Sequence, residues 1–306
     1  YGQPADMPAI NRVARKHGLK VIEDGSQAHG ARIGGQVVGT FSDAAGFSSM
    51  GGKLLATSEA GFLVTPYQDV FWKAAMMCQH YGRSAEPGFP EEYKPCVDSL
   101  VYTFRLSPLI AALFPGQIKR LDGQVRVRGE NAANLREALS ACRFLQLPRY
   151  RKGTEPGFYM LTSNFLSDKA GVRRETFLAA LKAEGVQAFA YVPEGIQHWR
   201  RLHWKNYRGP TAHWQGQLRR AKIDYGARAL PNCDYKVDHA IELSFTHWHR
   251  PAKRAMQRMA DAFLKVEDQI EALREYEAEK DDQTGDGTSR TLNEARRAAT
   301  SYRRGR

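Results

Sequence analysis

Apolar positions Met7, Ile10, Val13 and Ala14 recur at helical spacing, and Gly18 follows where a helix can end. This spacing predicts a helix over residues 5–18. The next residues, LKVIEDG (19–25), form a short apolar run closed by an acid and a glycine, the pattern of a buried strand. AAGFSSM (44–50) and AGFLVT (60–65) predict two more strands, and Pro66 stops the second. QDVFWKAAMMCQHYG (68–82) predicts a helix, and the Pro-, Gly- and charge-rich stretch 83–100 a long loop. Helical periodicity returns over 107–140. It continues past Pro115 and Gly116, which predicts a long connecting helix bent at that point. Further on, 157–166, 187–192 and 239–245 read as strands, and 173–186 and 251–277 as helices. From residue 278 the chain turns polar and reads as a flexible tail. The expected organisation is residues 1–125 as part of a larger domain, 126–277 as a connecting helix with a small α+β domain, and 278–306 as the tail.

A helix, a tight turn, an apolar strand and a polar residue at the strand's end make the rhythm of an open α/β sheet. Ligands of such sheets gather at the carboxyl ends of the strands, where Asp24 falls. Lys53 sits alone among small and apolar residues in the turn between two predicted strands. Lysine avoids burial unless it is paired or chemically employed. If both groups face one crevice, an amine and a carboxylate meet there. A desolvated lysine can act as nucleophile or Schiff-base former, and a carboxylate is the expected partner of the pyridine nitrogen of pyridoxal phosphate. Ser48 can donate a hydrogen bond to a phosphate oxygen, and Gly51 and Gly52 let a backbone approach closely. Taken singly, the lysine also reads as a surface residue, and Asp24 as a cap or turn residue.

Composition narrows the class without choosing it. The chain has 306 residues, 42% hydrophobic and 25% charged, as in ordinary globular proteins. No apolar run approaches the roughly 20 residues of a membrane helix. The net charge of +12 is scattered, with clusters at RYRK (149–152), HWRRLHWK (198–205) and SYRRGR (301–306). A solvated basic surface explains them better than nucleic-acid binding, which rests on charge alone. The four cysteines form no C-x-x-C pair and read as reduced thiols in a cytoplasmic protein, and no metal site is expected.

Two long segments carry a family likeness. GQPADMPAINRVARKHGLKVIEDGSQAHGA (2–31), followed by GTFSDAAGFSSMGGKLLATSEAGFLVT (39–65), closely resembles the DegT/DnrJ/StrS family. These are pyridoxal-phosphate enzymes, chiefly sugar and cyclitol aminotransferases of fold type I. The likeness continues through FRLSPLIAALFPGQIKRLDGQ (104–124) and GVRRETFLAALKAEGV (171–186) and weakens after about residue 190. It implies an α/β fold: part of the mixed sheet of a fold type I large domain, followed by a small C-terminal α+β domain.

The resemblance also implies roles at matching positions. Asp24 holds the pyridine nitrogen protonated, Gln27 lies against the ring or its O3′ side, and Ser48 binds the phosphate. Lys53 forms the internal aldimine and then acts as acid and base in the 1,3-prototropic shift between aldimine and ketimine. Thr103, in VYTFRLS, takes the position of an asparagine that reaches a neighbouring subunit's phosphate in a shared-site homodimer. The usual GEGG or GDGG becomes SEAG (58–61), which bears on the substrate pocket. Relatives carry further N-terminal sequence with a Gly-Thr phosphate turn and a stacking aromatic, so the chain reads as an N-terminally truncated member whose sheet has an exposed edge. The function implied is transfer of an amino group from glutamate or glutamine to a keto-sugar or keto-cyclitol. An inactive relative acting as a partner subunit is the alternative. Sugar dehydration is third, because dehydratases of this type replace the lysine with histidine.

Overall fold

The computed structural model describes residues 1–78, 81–98, 104–199, 202, 213–225 and 229–284. The described chain divides into two compact units. The first comprises Tyr1–Arg136, Pro148–Leu161 and Ser244–Met256; the second comprises Glu137–Leu147, Thr162–Leu243 and the chain from Gln257.

In the first unit the opening helix is Met7–Lys16. Asp6 caps it, its Oδ1 accepting from the Ala9 amide at 3.1 Å, and Arg15 and Lys16 complement the dipole in the last turn. Arg151 pairs with Asp6 at 3.0 Å. Only Met7 and Ala14 of the expected apolar face are buried; Ile10 and Val13 are exposed. The three predicted strands form one sheet, Ile22–Asp24, Ala44–Ser48 and Gly61–Val64, with Ala44–Ser48 in the middle. It runs parallel to the first, with Asp24 opposite Gly46, and antiparallel to the third, with Ser48 opposite Gly61. The Ile22–Asp24 strand is an edge of this sheet, and its Ile22 is exposed.

Alternation along these strands sorts their side chains onto two faces. Glu23, Ala45 and Phe47 are buried, whereas Ile22, Asp24 and Gly61 are exposed and Gly46 and Ser48 half-buried. On the buried face Phe47 stacks on Phe62 with ring centroids 5.0 Å apart and planes 8° apart, and the His29 ring lies 5.3 Å from Phe47. A Cβ at Gly25 or Gly39 would overlap the Phe47 ring, and Gly39 has φ +93°. Glu23, on the same face, accepts from the Gly39 amide at 2.8 Å.

The turn that carries Lys53 is closed by the main chain. The Ser49 amide donates to Ala60 at 2.7 Å, and the Thr57 amide donates to Ser49 at 2.9 Å. Leu54 and Leu55 anchor the turn in the core. Ser58, in SEAG, takes φ +88°, a left-handed conformation that costs a residue with a Cβ.

Several boundaries differ from the expected ones. The helical stretch 107–140 is two helices, Pro108–Ala111 and Phe114–Leu139, interrupted at 112–113 rather than bent at Pro115. Pro115 is the second residue of the longer helix, where its missing amide costs nothing. The expected loop 83–100 contains 3₁₀ turns at Tyr81–Ala85 and Glu91–Asp98. A small antiparallel sheet of Gln36–Val37, Arg32–Ile33 and Thr154–Glu155 has no counterpart in the sequence pattern.

A four-stranded sheet, in the order Leu145–Gln146, Met160–Phe165, Ala240–Ser244 and Ala188–Phe189, runs through the second unit. Its core includes Phe165 stacked on Phe177 at 4.3 Å, with Phe263 next to Phe177 at 6.1 Å. The buried Glu267 carboxylate accepts from the Arg143 amide and guanidinium, both at 2.9 Å, and from the Phe144 amide at 3.1 Å. The expected helix 251–277 is two, Lys253–Asp268 and Ile270–Thr284. The second runs beyond residue 278, supported by Arg173 pairing with Glu277 and Asp281. The basic segments 200–201, 203–205 and 301–306 lie outside the described residues.

Two predictions follow from the packing of the first unit. Burial, then the charges of Lys53 and Arg128, press the His29 pKa down to about 4 from 6.5. The unfolded chain therefore takes up a proton as pH falls through 6.5 while the folded chain stays neutral until about 4, so stability is lost across that window. Urea titrations of His29→Phe should lack this slope, which amounts to about 3 kcal/mol when fully developed. Separately, Ser58→Gly removes a left-handed strain and should raise stability by about 1 kcal/mol, measured as a higher thermal midpoint.

Candidate active site

A depression of about 510 Å³ is lined by all three strands of the first unit's sheet. Asp24 and Ser26 line it from the first strand's end, Gly46 and Ser48 from the middle strand, and Phe62 from the third. Asp24 ends its strand because the chain turns at once: the Ala28 amide donates to Gly25 at 2.8 Å. The Ser26 amide donates to Asp24 Oδ1 at 2.9 Å. Hydrogen bonding from Ser26, side chain first and backbone second, holds the carboxyl below its ordinary range; partial desolvation opposes this and the charge of Lys53 assists. Asp24 is thus a carboxylate at neutral pH, exposed at the mouth of the depression. No Cβ stands above Gly46, its strand partner, and nothing lies within 4 Å of where one would be.

Ser48 is the last residue of the middle strand, with its hydroxyl accepting from the Met50 amide at 3.4 Å. Gln27 is half-buried in the turn after Asp24. Lys53 is half-buried, and its own amide donates to Met50 at 2.9 Å, which tightens the turn. Its amine lies within charge range of Asp24 and His29. The structure therefore brings Asp24, Gln27, Ser48 and Lys53 into one unit at one end of one sheet. Thr103 lies outside the described residues.

Three groups near this end went unmarked by sequence reasoning. Lys53 Nζ stands 5.0 Å from the centroid of the Tyr159 ring, a cation–π distance. His29 belongs to the QAHGA stretch, where a single histidine amid small residues was a readable sign of a buried imidazole. Arg128 is fully buried, and none of its three guanidinium nitrogens has a hydrogen-bond partner among the described residues. Burial brings its pKa down to about 10. Nothing in its helical period distinguished it from a solvated arginine.

Elsewhere, Cys78, Cys96, Cys142 and Cys233 are free thiols, and burial pushes Cys142 up to about 12. Among the described residues no helix is long and apolar enough to cross a membrane.

Known proteins of similar sequence and of similar fold agree with one another. A UDP-N-acetyl-3-dehydro-alpha-D-glucosamine 3-aminotransferase of Acidithiobacillus ferrooxidans is 35% identical over 198 residues, 63% of this chain and 48% of that protein. A putative L-glutamine:3-amino-2,3-dideoxy-scyllo-inosose aminotransferase of Micromonospora echinospora is 30% identical over 280 residues, 89% of this chain and 64% of that protein. The chain thus spans about half to two thirds of the length of these relatives. Among solved structures, 3-amino-5-hydroxybenzoic acid synthase superposes with a TM-score of 0.66 at 21% identity, over 87% of this chain and 65% of that one. A Helicobacter pylori aminotransferase involved in the biosynthesis of pseudoaminic acid gives 0.70 at 19% identity, over 87% and 64%. These likenesses give the fold as the α/β architecture of fold type I aminotransferases. The family model matches residues 1–212, and the chain belongs to the DegT/DnrJ/EryC1/StrS aminotransferase family.

Proposed function

We propose that this chain carries the lysine-bearing part of a pyridoxal-phosphate aminotransferase site, which moves an amino group from glutamate or glutamine to a keto-sugar or keto-cyclitol. The observation that carries this reading is the placement of an ionised Asp24 and the Lys53 turn beyond the carboxyl ends of adjacent parallel strands, in a chain of this family. Relatives named for keto-sugar and cyclitol substrates support the acceptor class, and the glutamine in one relative's name supports the donor.

The residues present fit the cofactor. Asp24 is ionised, exposed and set beside a glycine, so a flat ring meets a carboxylate with no side chain between. Ser48 offers a hydroxyl on the same face. Pyridoxal phosphate, when bound, supplies a protonated aromatic ring that accepts the electrons freed at the substrate carbon.

The chain's own residues do the remaining work. Asp24 keeps a proton on the ring nitrogen by placing a fixed negative charge against it. Ser48 would donate to a phosphate oxygen, and Gln27 would help hold the ring. Lys53 would be the covalent anchor, and once released its amine would act as base and acid, taking the proton from the substrate's amino-bearing carbon and passing it to the cofactor's aldehyde-derived carbon. The turn closed by Ser49, Thr57 and Ala60 fixes the backbone from which that amine would reach. Thr103 would reach the phosphate of a second subunit in a homodimer with shared sites.

The test is an absorbance spectrum of the gene product containing these 306 residues, with pyridoxal phosphate, before and after glutamate. A visible band that glutamate bleaches is the expected result. Lys53→Ala should abolish the band, and its persistence in that variant would sink the assignment. Asp24→Ala should keep a lysine adduct but slow the half-reaction roughly a hundredfold.

A further inference from the structure

The surroundings of the Lys53 amine are unusual for an ammonium group. The Asp24 carboxylate and the neutral His29 imidazole lie within electrostatic range of it, and the Arg128 guanidinium lies within range of His29. Arg128 is positive, buried and within electrostatic range of His29, so the interior there disfavours a second cation. His29 avoids adding one: burial keeps it neutral. The remaining compensation comes from the Tyr159 ring, whose centroid lies 5.0 Å from Nζ. An aromatic face carries partial negative charge and attracts an ammonium without accepting its proton.

Tyr159 is built to stay in place. Its amide donates to the Tyr1 carbonyl at 3.1 Å, and its carbonyl accepts from the Phe245 amide at 3.0 Å. The residue is buried. The place of its backbone is thus set by main-chain bonds that do not depend on the side chain.

We propose that the Tyr159 ring is the resting platform of the Lys53 ammonium, a positioning residue that holds the charged amine in one place whenever it is not covalently engaged. The role in proton return rests on the aminotransferase reading; the contact does not. A lysine that has taken a proton must return it before the ammonium swings away. A ring that stabilises the charged form without competing for the proton favours that return. A carboxylate in the same place could take the proton itself, and an aliphatic side chain would leave the ammonium without that support.

The experiment has one arm without cofactor and one with it. In the first, lysines of the purified protein are reductively methylated with ¹³C-formaldehyde, and the Lys53 signal is assigned by its loss in Lys53→Arg. Ring current should move that signal upfield. Tyr159→Phe should keep the displacement and Tyr159→Leu remove it, with Tyr159→Met as the second apolar variant should Leu fail to fold. In the second arm, Tyr159→Leu or Met should lower kcat of the glutamate half-reaction about fivefold with KM unchanged, and Tyr159→Phe should restore it. A Lys53 signal at the ordinary lysine position in the unsubstituted protein overturns the proposal, as does an unchanged kcat in the apolar variants. A displaced, Tyr159-sensitive signal supports the platform even in a protein that shows no band with pyridoxal phosphate, so failure of the functional reading is seen separately.

Discussion

The packing of one ring, Phe47, sets the geometry on which the rest depends. It fills the space left by Gly25 and Gly39, lies flat on Phe62 and touches His29. Because side chains alternate along a strand, fixing Phe47 inward fixes Gly46 and Ser48 outward. The Asp24–Gly46 register then sets the acid beside a bare stretch of backbone. A slip of one residue would bury Ser48 and turn Phe47 to water, so the candidate site and the core are two sides of one packing solution.

Charge is distributed with equal economy. The interior below the lysine turn contains a neutral imidazole and an arginine without hydrogen-bond partners among the described residues. Burying an unpaired guanidinium is expensive, and a second protonated group beside it would cost more. His29 resolves this by remaining uncharged, and Lys53 by standing half-exposed between a carboxylate and an aromatic face. The second unit handles its buried charge differently: Glu267 gathers two amides and a guanidinium, so its desolvation is repaid by hydrogen bonds.

Much of this was legible in the sequence, for identifiable reasons. The Ile22–Asp24, Ala44–Ser48 and Gly61–Val64 strands are apolar runs bounded by glycine, acid or proline, so each lies within its predicted span. Asp24, Ser48 and Lys53 were picked out because strand ends collect ligands and because their motifs are long and ordered. The two-residue strands at 32–37 and 154–155 were invisible, since a run that short has no period. Pro115 was read as a bend because periodicity cannot tell a proline inside a helix from one in its first turn. The break at Gln269 lacked any proline or glycine signal. Tyr159 was read only as part of a strand, because nothing local links it to a lysine so distant in the chain.

The middle strand pairs in opposite senses on its two sides, and this has a consequence for how the sheet assembles. Its antiparallel partner follows after residues 49–60, a shorter connection than 25–43 on the parallel side, so the hairpin closes at somewhat lower entropic cost. Its parallel partner, Ile22–Asp24, must be brought back across the intervening Arg32–Val37 hairpin and its flanking turns. Local pairs form faster than distant ones, so the lysine-bearing hairpin is assembled early and the acid-bearing strand is laid against it afterwards. In the order of folding, the group that anchors is in place before the group that tunes it.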